Sequence, residues 1–90
     1  MNLILYSKPG CHLCEGLLEK LQQVKNVQFQ LEIRDITTRD DWFETYQFEI
    51  PVLSKLESDQ EIILPRLSPR SNVLQLEKLL QKFSTPLAKL

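Results

Sequence analysis

Ninety residues with 42% hydrophobic and 26% charged side chains are one globular domain's worth of chain, enough for a single core without covalent staples. Eleven Lys and Arg against twelve Asp and Glu leave a net charge of -1, which lacks the basic excess of a nucleic-acid binder. No apolar run approaches the ~20 residues of a membrane span, and Met1 to Tyr6 lacks the charged start and apolar length of a secretory signal, so a soluble, cytoplasmic protein is expected.

Leu3-Ile4-Leu5-Tyr6 is a short continuous apolar run, the pattern of a strand buried on both faces. Ser7-Lys8-Pro9-Gly10 follows as a turn. The period then changes. Leu13, Leu17, Leu21 and Val24, with Leu18 alongside, make one apolar helical face, so a helix opens at Cys11 and runs to about Lys25. Gly16 inside it costs roughly 0.5–1 kcal/mol against alanine, which does not break the helix. Val27, Phe29, Leu31 and Ile33 alternate with polar residues, the period of a second strand with one wetter face.

Thr37-Thr38 offers a cap for a helix over about Arg39 to Gln47, with Asp40 and Asp41 favouring its first turn and Trp42, Phe43 and Tyr46 buried. Val52-Leu53 and Ile62-Ile63-Leu64 flank the polar Glu57-Ser58-Asp59-Gln60 and read as a β-hairpin. Ser68-Pro69 supplies a cap and a first-turn proline for a closing helix whose buried face is Val73, Leu76, Leu80 and Phe83. The domain spans residues 1–84, and residues 85–90, interrupted by Pro86, read as a C-terminal tail. The order β-α-β-α-β-β-α combines a right-handed parallel crossover with an antiparallel hairpin, hence a mixed sheet covered by helices.

The two cysteines sit together as Cys11-His12-Leu13-Cys14, and His12 is the single histidine. A disulfide across so short a loop stabilises little, so the pair points to redox or metal chemistry instead of a structural staple. At a helix start the Cys11 sulfur faces unpaired N–H groups at the positive end of the helix. Both favour the thiolate, which is the attacking species. Cys14, one turn on, returns to the same face within disulfide reach and can resolve a mixed disulfide on Cys11.

His12 and Lys8 are candidates for tuning that thiol, each with an idle solvated side chain as the plain alternative. Tyr6 is read as a strand-end residue without a chemical task. Trp42, Phe43 and Tyr46 are read as core, and Asp40-Asp41 as a helix-start signal, since adjacent residues on a helix do not face each other. A metal or iron–sulfur carrier is one alternative. Two thiolates and one His do not fill four positions, so its site would be shared between subunits or completed by another thiol. A non-catalytic interaction module is the other.

The segments Leu3-Ile4-Leu5-Tyr6-Ser7-Lys8-Pro9-Gly10-Cys11-His12-Leu13-Cys14 and Glu49-Ile50-Pro51-Val52-Leu53 resemble the thioredoxin superfamily, most closely its small glutaredoxin-like branch. The resemblance implies an α/β thioredoxin-like fold, with a four-stranded mixed sheet and three helices. It also implies a cis peptide at Ile50-Pro51 facing the cysteines, with substrate pairing to the backbone before that proline. The implied activity is that of a thiol–disulfide oxidoreductase reducing or exchanging protein or small-molecule disulfides through a mixed disulfide, with Cys11 and Cys14 forming the redox disulfide.

Two departures from the glutaredoxin pattern stand out. His12-Leu13 replaces the usual Pro-Tyr or Pro-Phe, and Leu64-Pro65-Arg66-Leu67-Ser68-Pro69-Arg70-Ser71 replaces the glycine turn and acidic residue that hold glutathione. With glutathione as co-substrate, Arg66, Arg70 and the closing helix's cap are the groups to receive its carboxylate. No tightly bound cofactor is expected. The expected partners are a disulfide-containing protein or low-molecular-weight thiol and a thioredoxin- or glutathione-type electron donor, with no nucleic acid or membrane and the protein a monomer.

Overall fold

A computed structural model describes residues 1–84, so the expected tail at 85–90 lies outside the described residues. Leu3, Ile4, Leu5 and Tyr6 are each no more than 2% exposed, because their strand β1 (Asn2–Ser7) is covered on both faces and both edges. Along one edge it pairs in parallel with β2 (Gln30–Asp35), Tyr6 opposite Arg34. Along the other it pairs antiparallel with β3 (Val52–Glu57), Tyr6 opposite Val52. The chain then turns back into β4 (Gln60–Ile63), giving a four-stranded mixed sheet of order β2-β1-β3-β4. Ser58 and Asp59 make that turn with φ of 51° and 64°, the left-handed pair whose twist matches a hairpin.

Three helices cover the sheet, α1 (His12–Gln23), α2 (Asp40–Tyr46) and α3 (Val73–Ser84), so the fold is the α/β thioredoxin-like one in the expected order. The alternation of β1 divides the core. Leu3 and Leu5 pack with Leu53, Leu64, Leu21 of α1 and Leu76 and Leu80 of α3. Ile4 and Tyr6 point the other way, onto Ile36, Val52 and the α2 residues Trp42 and Tyr46. Glu77 of α3 pins the end of the first crossover: its carboxylate accepts from the Lys25 amide at 2.8 Å and the Asn26 side chain at 3.1 Å.

Several element ends differ from the sequence expectation, each for a local reason. Cys11 is the N-cap of α1 instead of its first residue, and the helix stops at Gln23. Leu13 is 51% exposed, because the buried stripe of that helix runs through Cys14 and Leu21. The second strand starts at Gln30, not Val27: β1 begins at Asn2, opposite Gln30, so the earlier alternating residues have no strand to pair with. Thr37 and Thr38 do not cap α2. Asp35 is the stronger acceptor and takes the Thr37 amide at 2.9 Å and its hydroxyl at 2.6 Å, which folds Ile36–Thr38 into a 3-10 turn.

None of the three α2 aromatics is fully buried: Phe43 is 37% exposed, and Trp42 and Tyr46 are half-buried, since a helix of seven residues turns one stripe to the core and these two occupy it. Ser68-Pro69 does not open the last helix. Pro69 instead sits in a turn closed by the Ser71 amide on the Ser68 carbonyl at 2.9 Å. The helix begins at Val73, behind a reciprocal cap: the Gln75 amide donates to Asn72 Oδ1 at 2.9 Å and the Asn72 amide to Gln75 Oε1 at 2.8 Å.

Candidate active site

The loop between β1 and α1 is shaped by its residue types. Pro9 fits the second position of a turn, and Gly10 takes φ of +81°, which side-chain-bearing residues rarely adopt. The Cys11 amide closes the turn on the Lys8 carbonyl at 3.2 Å. This delivers Cys11 to the N-cap of α1 in an extended conformation, with its sulfur accepting the Cys14 amide at 3.2 Å. Cys11 and Cys14 are joined as a disulfide with Cα atoms 5.2 Å apart. They are unequally placed: Cys14 is 3% exposed, whereas Cys11 is only partly buried.

Of the two candidate tuning residues, His12 points into solvent with its side chain 94% exposed, its Nδ1 3.8 Å from a Glu15 carboxylate oxygen. Lys8 is exposed, and its backbone carbonyl is what contacts the cysteine loop.

A groove of about 510 Å³, lined by His12 and Leu13 from between the two cysteines, brings distant segments together. Leu13 and Leu17 of α1, Pro51 and Val52, and Leu64, Pro65 and Leu67 all line it. The Ile50-Pro51 peptide is cis, as the family resemblance implies, and Pro51 lines this groove together with His12 and Leu13. The Ile50 amide is already used, donating to the Tyr46 carbonyl at 3.1 Å behind α2.

Arg66 lines the groove, but its guanidinium donates to the Glu49 carbonyl at 2.5 Å. Asn72, which caps α3, lines the groove with Arg66, whereas Arg70 is not among the lining residues and the Ser68-Pro69 cap expected beside it is a turn. Lys20, which sequence reasoning passed over, also lines the groove and donates to the Pro69 carbonyl at 2.7 Å. No local pattern announces that contact, which spans 49 positions. The exposed Leu13 was legible in principle, since a residue between two cysteines at a helix start faces the site and not the core.

Tyr6 has a larger part than a strand end. Its hydroxyl donates to Glu61 Oε1 at 2.5 Å and accepts from Arg34 at 3.0 Å, and Ser54 donates to the same Glu61 oxygen at 2.7 Å. Its ring stacks on Tyr46 with centroids 4.1 Å apart. Burial, and then the Glu61 hydrogen bond, push the phenol's ionisation well above its ordinary value, so it stays neutral. This network locks β1, β2 and β4 together immediately before the cysteine loop.

A family model for the glutaredoxin-like domain (DUF836) matches residues 2–81. The chain belongs to that family. Two solved structures align with nearly its whole length. The crystal structure of target protein XcR50 from X. campestris shares 25% identity at a TM-score of 0.63, over 89% of this chain and 96% of that one. Thioredoxin 1 from Thermosipho africanus shares 18% identity at a TM-score of 0.63, over 92% of this chain and 93% of that one, a likeness of fold. No curated protein matches the chain. Among the described residues, no helix is long and apolar enough to cross a membrane, and no group of three or more His, Cys, Asp or Glu side chains is arranged to hold a metal.

Proposed function

We propose that this glutaredoxin-like domain is a thiol–disulfide oxidoreductase working by a dithiol mechanism. The observation that carries this reading is the Cys11–Cys14 disulfide across the opening turn of α1, with one sulfur at the partly exposed cap and the other buried beneath it. In the reduced protein, the Cys14 amide and the positive end of α1 face the Cys11 sulfur and favour its thiolate.

That thiolate attacks one sulfur of a substrate disulfide. A Cys11–substrate bond forms, the substrate S–S bond breaks, and the departing thiolate takes up a proton. Cys14 loses its proton and attacks Cys11 Sγ, which closes the internal disulfide and releases the second substrate thiol. Two electrons pass from the dithiol to the substrate. An external thiol or dithiol reductant restores Cys11 and Cys14 by the reverse exchange. Protein and small-molecule disulfides are both substrates of this chemistry, and the cytoplasm is the compartment that keeps such a dithiol reduced.

The test is turnover of a model disulfide by the parent protein, Cys11→Ser and Cys14→Ser. Cys11→Ser is expected to be inactive, and Cys14→Ser to stop at the mixed disulfide. Equal rates for both variants and the parent would remove the proposal.

A further inference from the structure

β2 is an outer strand of the sheet, and among the described residues no strand pairs with its free side. The ladder with β1 decides which backbone groups that side presents. The Gln30 amide donates to the Met1 carbonyl at 2.9 Å, so the even-numbered residues of β2 bond to β1. The amides and carbonyls of Leu31, Ile33 and Asp35 therefore face outward. The open edge ends at Asp35, whose carbonyl accepts the Thr38 hydroxyl at 2.7 Å. Over its six residues no proline, lysine or bulge blunts the edge against pairing. Ile33 stands at its middle, 51% exposed.

The side chains decide what this edge fits. Glu32 and Arg34 share one face of the strand, with opposite charges, and Ile33 lies between them on the other face. A second copy of β2, laid antiparallel with Ile33 opposite Ile33, bonds outward-facing residues to outward-facing residues: Ile33 to its copy and Leu31 to Asp35. The same register sets Glu32 of each chain directly opposite Arg34 of the other and stacks the two isoleucines on the opposite face. Sliding the copy by two residues, the smallest shift that keeps the hydrogen bonds, sets Glu32 against Glu32 or Arg34 against Arg34. Arg34 is already oriented, with Nε on Glu32 and Nη1 on the Tyr6 hydroxyl at 3.0 Å, while the Glu32 side chain is 55% exposed.

We propose that β2 is a self-association edge, through which two copies of this chain join their four-stranded sheets into one across a two-fold axis at Ile33. This replaces the monomer expected from the sequence. The Glu32–Arg34 pairs set the register and Ile33 supplies the apolar contact. The strand holds no residue of the candidate active site, so the inference is independent of the oxidoreductase reading.

The experiment is sedimentation velocity of the full chain over a concentration series in dithiothreitol, which excludes cross-links through Cys11. The mass is expected to rise from one chain to two. Glu32→Arg, which sets like charges opposite Arg34 of the other copy, and Ile33→Lys are each expected to weaken association at least about ten-fold. Leu74→Lys, at an exposed leucine of α3, is expected to leave it unchanged. Amide exchange of the parent protein, followed by NMR over the same series, reads the edge directly and stands even if a variant does not fold. The Leu31 and Ile33 amides are expected to exchange more slowly as concentration rises, and those of β4 are not. A monomer throughout, up to about 1 mM, overturns the proposal. So does a dimer whose Leu31 and Ile33 amides exchange independently of concentration, one that both edge variants leave intact, or one that Leu74→Lys weakens equally. Each of these outcomes leaves the oxidoreductase reading standing.

Discussion

The Cys14 amide points at the Cys11 sulfur across 3.2 Å, so the buried cysteine's backbone holds the partly buried cysteine's side chain in place. In the reduced state the same donor faces a thiolate, where a charge-assisted hydrogen bond is stronger than a neutral one. The alkylation rate of Cys11 in the reduced protein is therefore expected to rise with pH at a midpoint below that of a free cysteine, about 8.5. A midpoint at or above the free value would show that the helix end does not activate this thiol.

The two glycines are expected to respond with opposite sign. Gly10 holds φ of +81° with open space around it, so Gly10→Ala is opposed by backbone strain alone, at roughly 1–2 kcal/mol. Gly16 lies within α1, also with open space where a Cβ would go, so Gly16→Ala is expected to stabilise by roughly 0.5–1 kcal/mol. Urea midpoints at constant slope separate the two, and a shared sign would contradict the turn assigned to the cysteine loop.

Tyr6→Phe is expected to cost about 1–3 kcal/mol, because it withdraws a buried hydroxyl from both Glu61 and Arg34 while keeping the ring stack on Tyr46. A urea titration showing a loss under about 0.5 kcal/mol would mean that water replaces the hydroxyl at no net cost.

The Glu77 carboxyl is held below its ordinary value of 4.5, chiefly by the Lys25 amide and then by the Asn26 side chain. A group whose folded value is depressed contributes stability above its unfolded value and loses it as pH falls through the folded one. Glu77→Gln is therefore expected to be less stable than the parent near pH 7, and the gap to close as pH drops below 4.5. A gap that stays constant from pH 7 to pH 3 would contradict the carboxylate's role as the anchor of the first crossover.

Much of this was legible in the residues themselves. The period change at Pro9-Gly10 sets a strand against a helix, and the cysteines fall at their junction because that is where the turn ends. What escaped is long-range or competitive. Asp35 draws Thr37 into a 3-10 turn and leaves α2 without a side-chain cap, and Asn72 caps α3 in place of Ser68, outcomes that residue preferences alone do not rank. The start of β2 depended on where its partner begins, and the ties of Lys20 to Pro69 and of Arg66 to Glu49 join segments far apart in the chain. Tyr6 reads as an idle strand end because its partner, Glu61, lies 55 positions away.

The most direct measurement is covalent trapping. Reduced Cys14→Ser protein is mixed with a disulfide-bonded model protein, and the product is mapped by mass spectrometry under non-reducing conditions. The account requires a single adduct, bonded through Cys11 and released by dithiothreitol. No adduct, or one that persists in the Cys11→Ser, Cys14→Ser double variant, would contradict Cys11 as the attacking group.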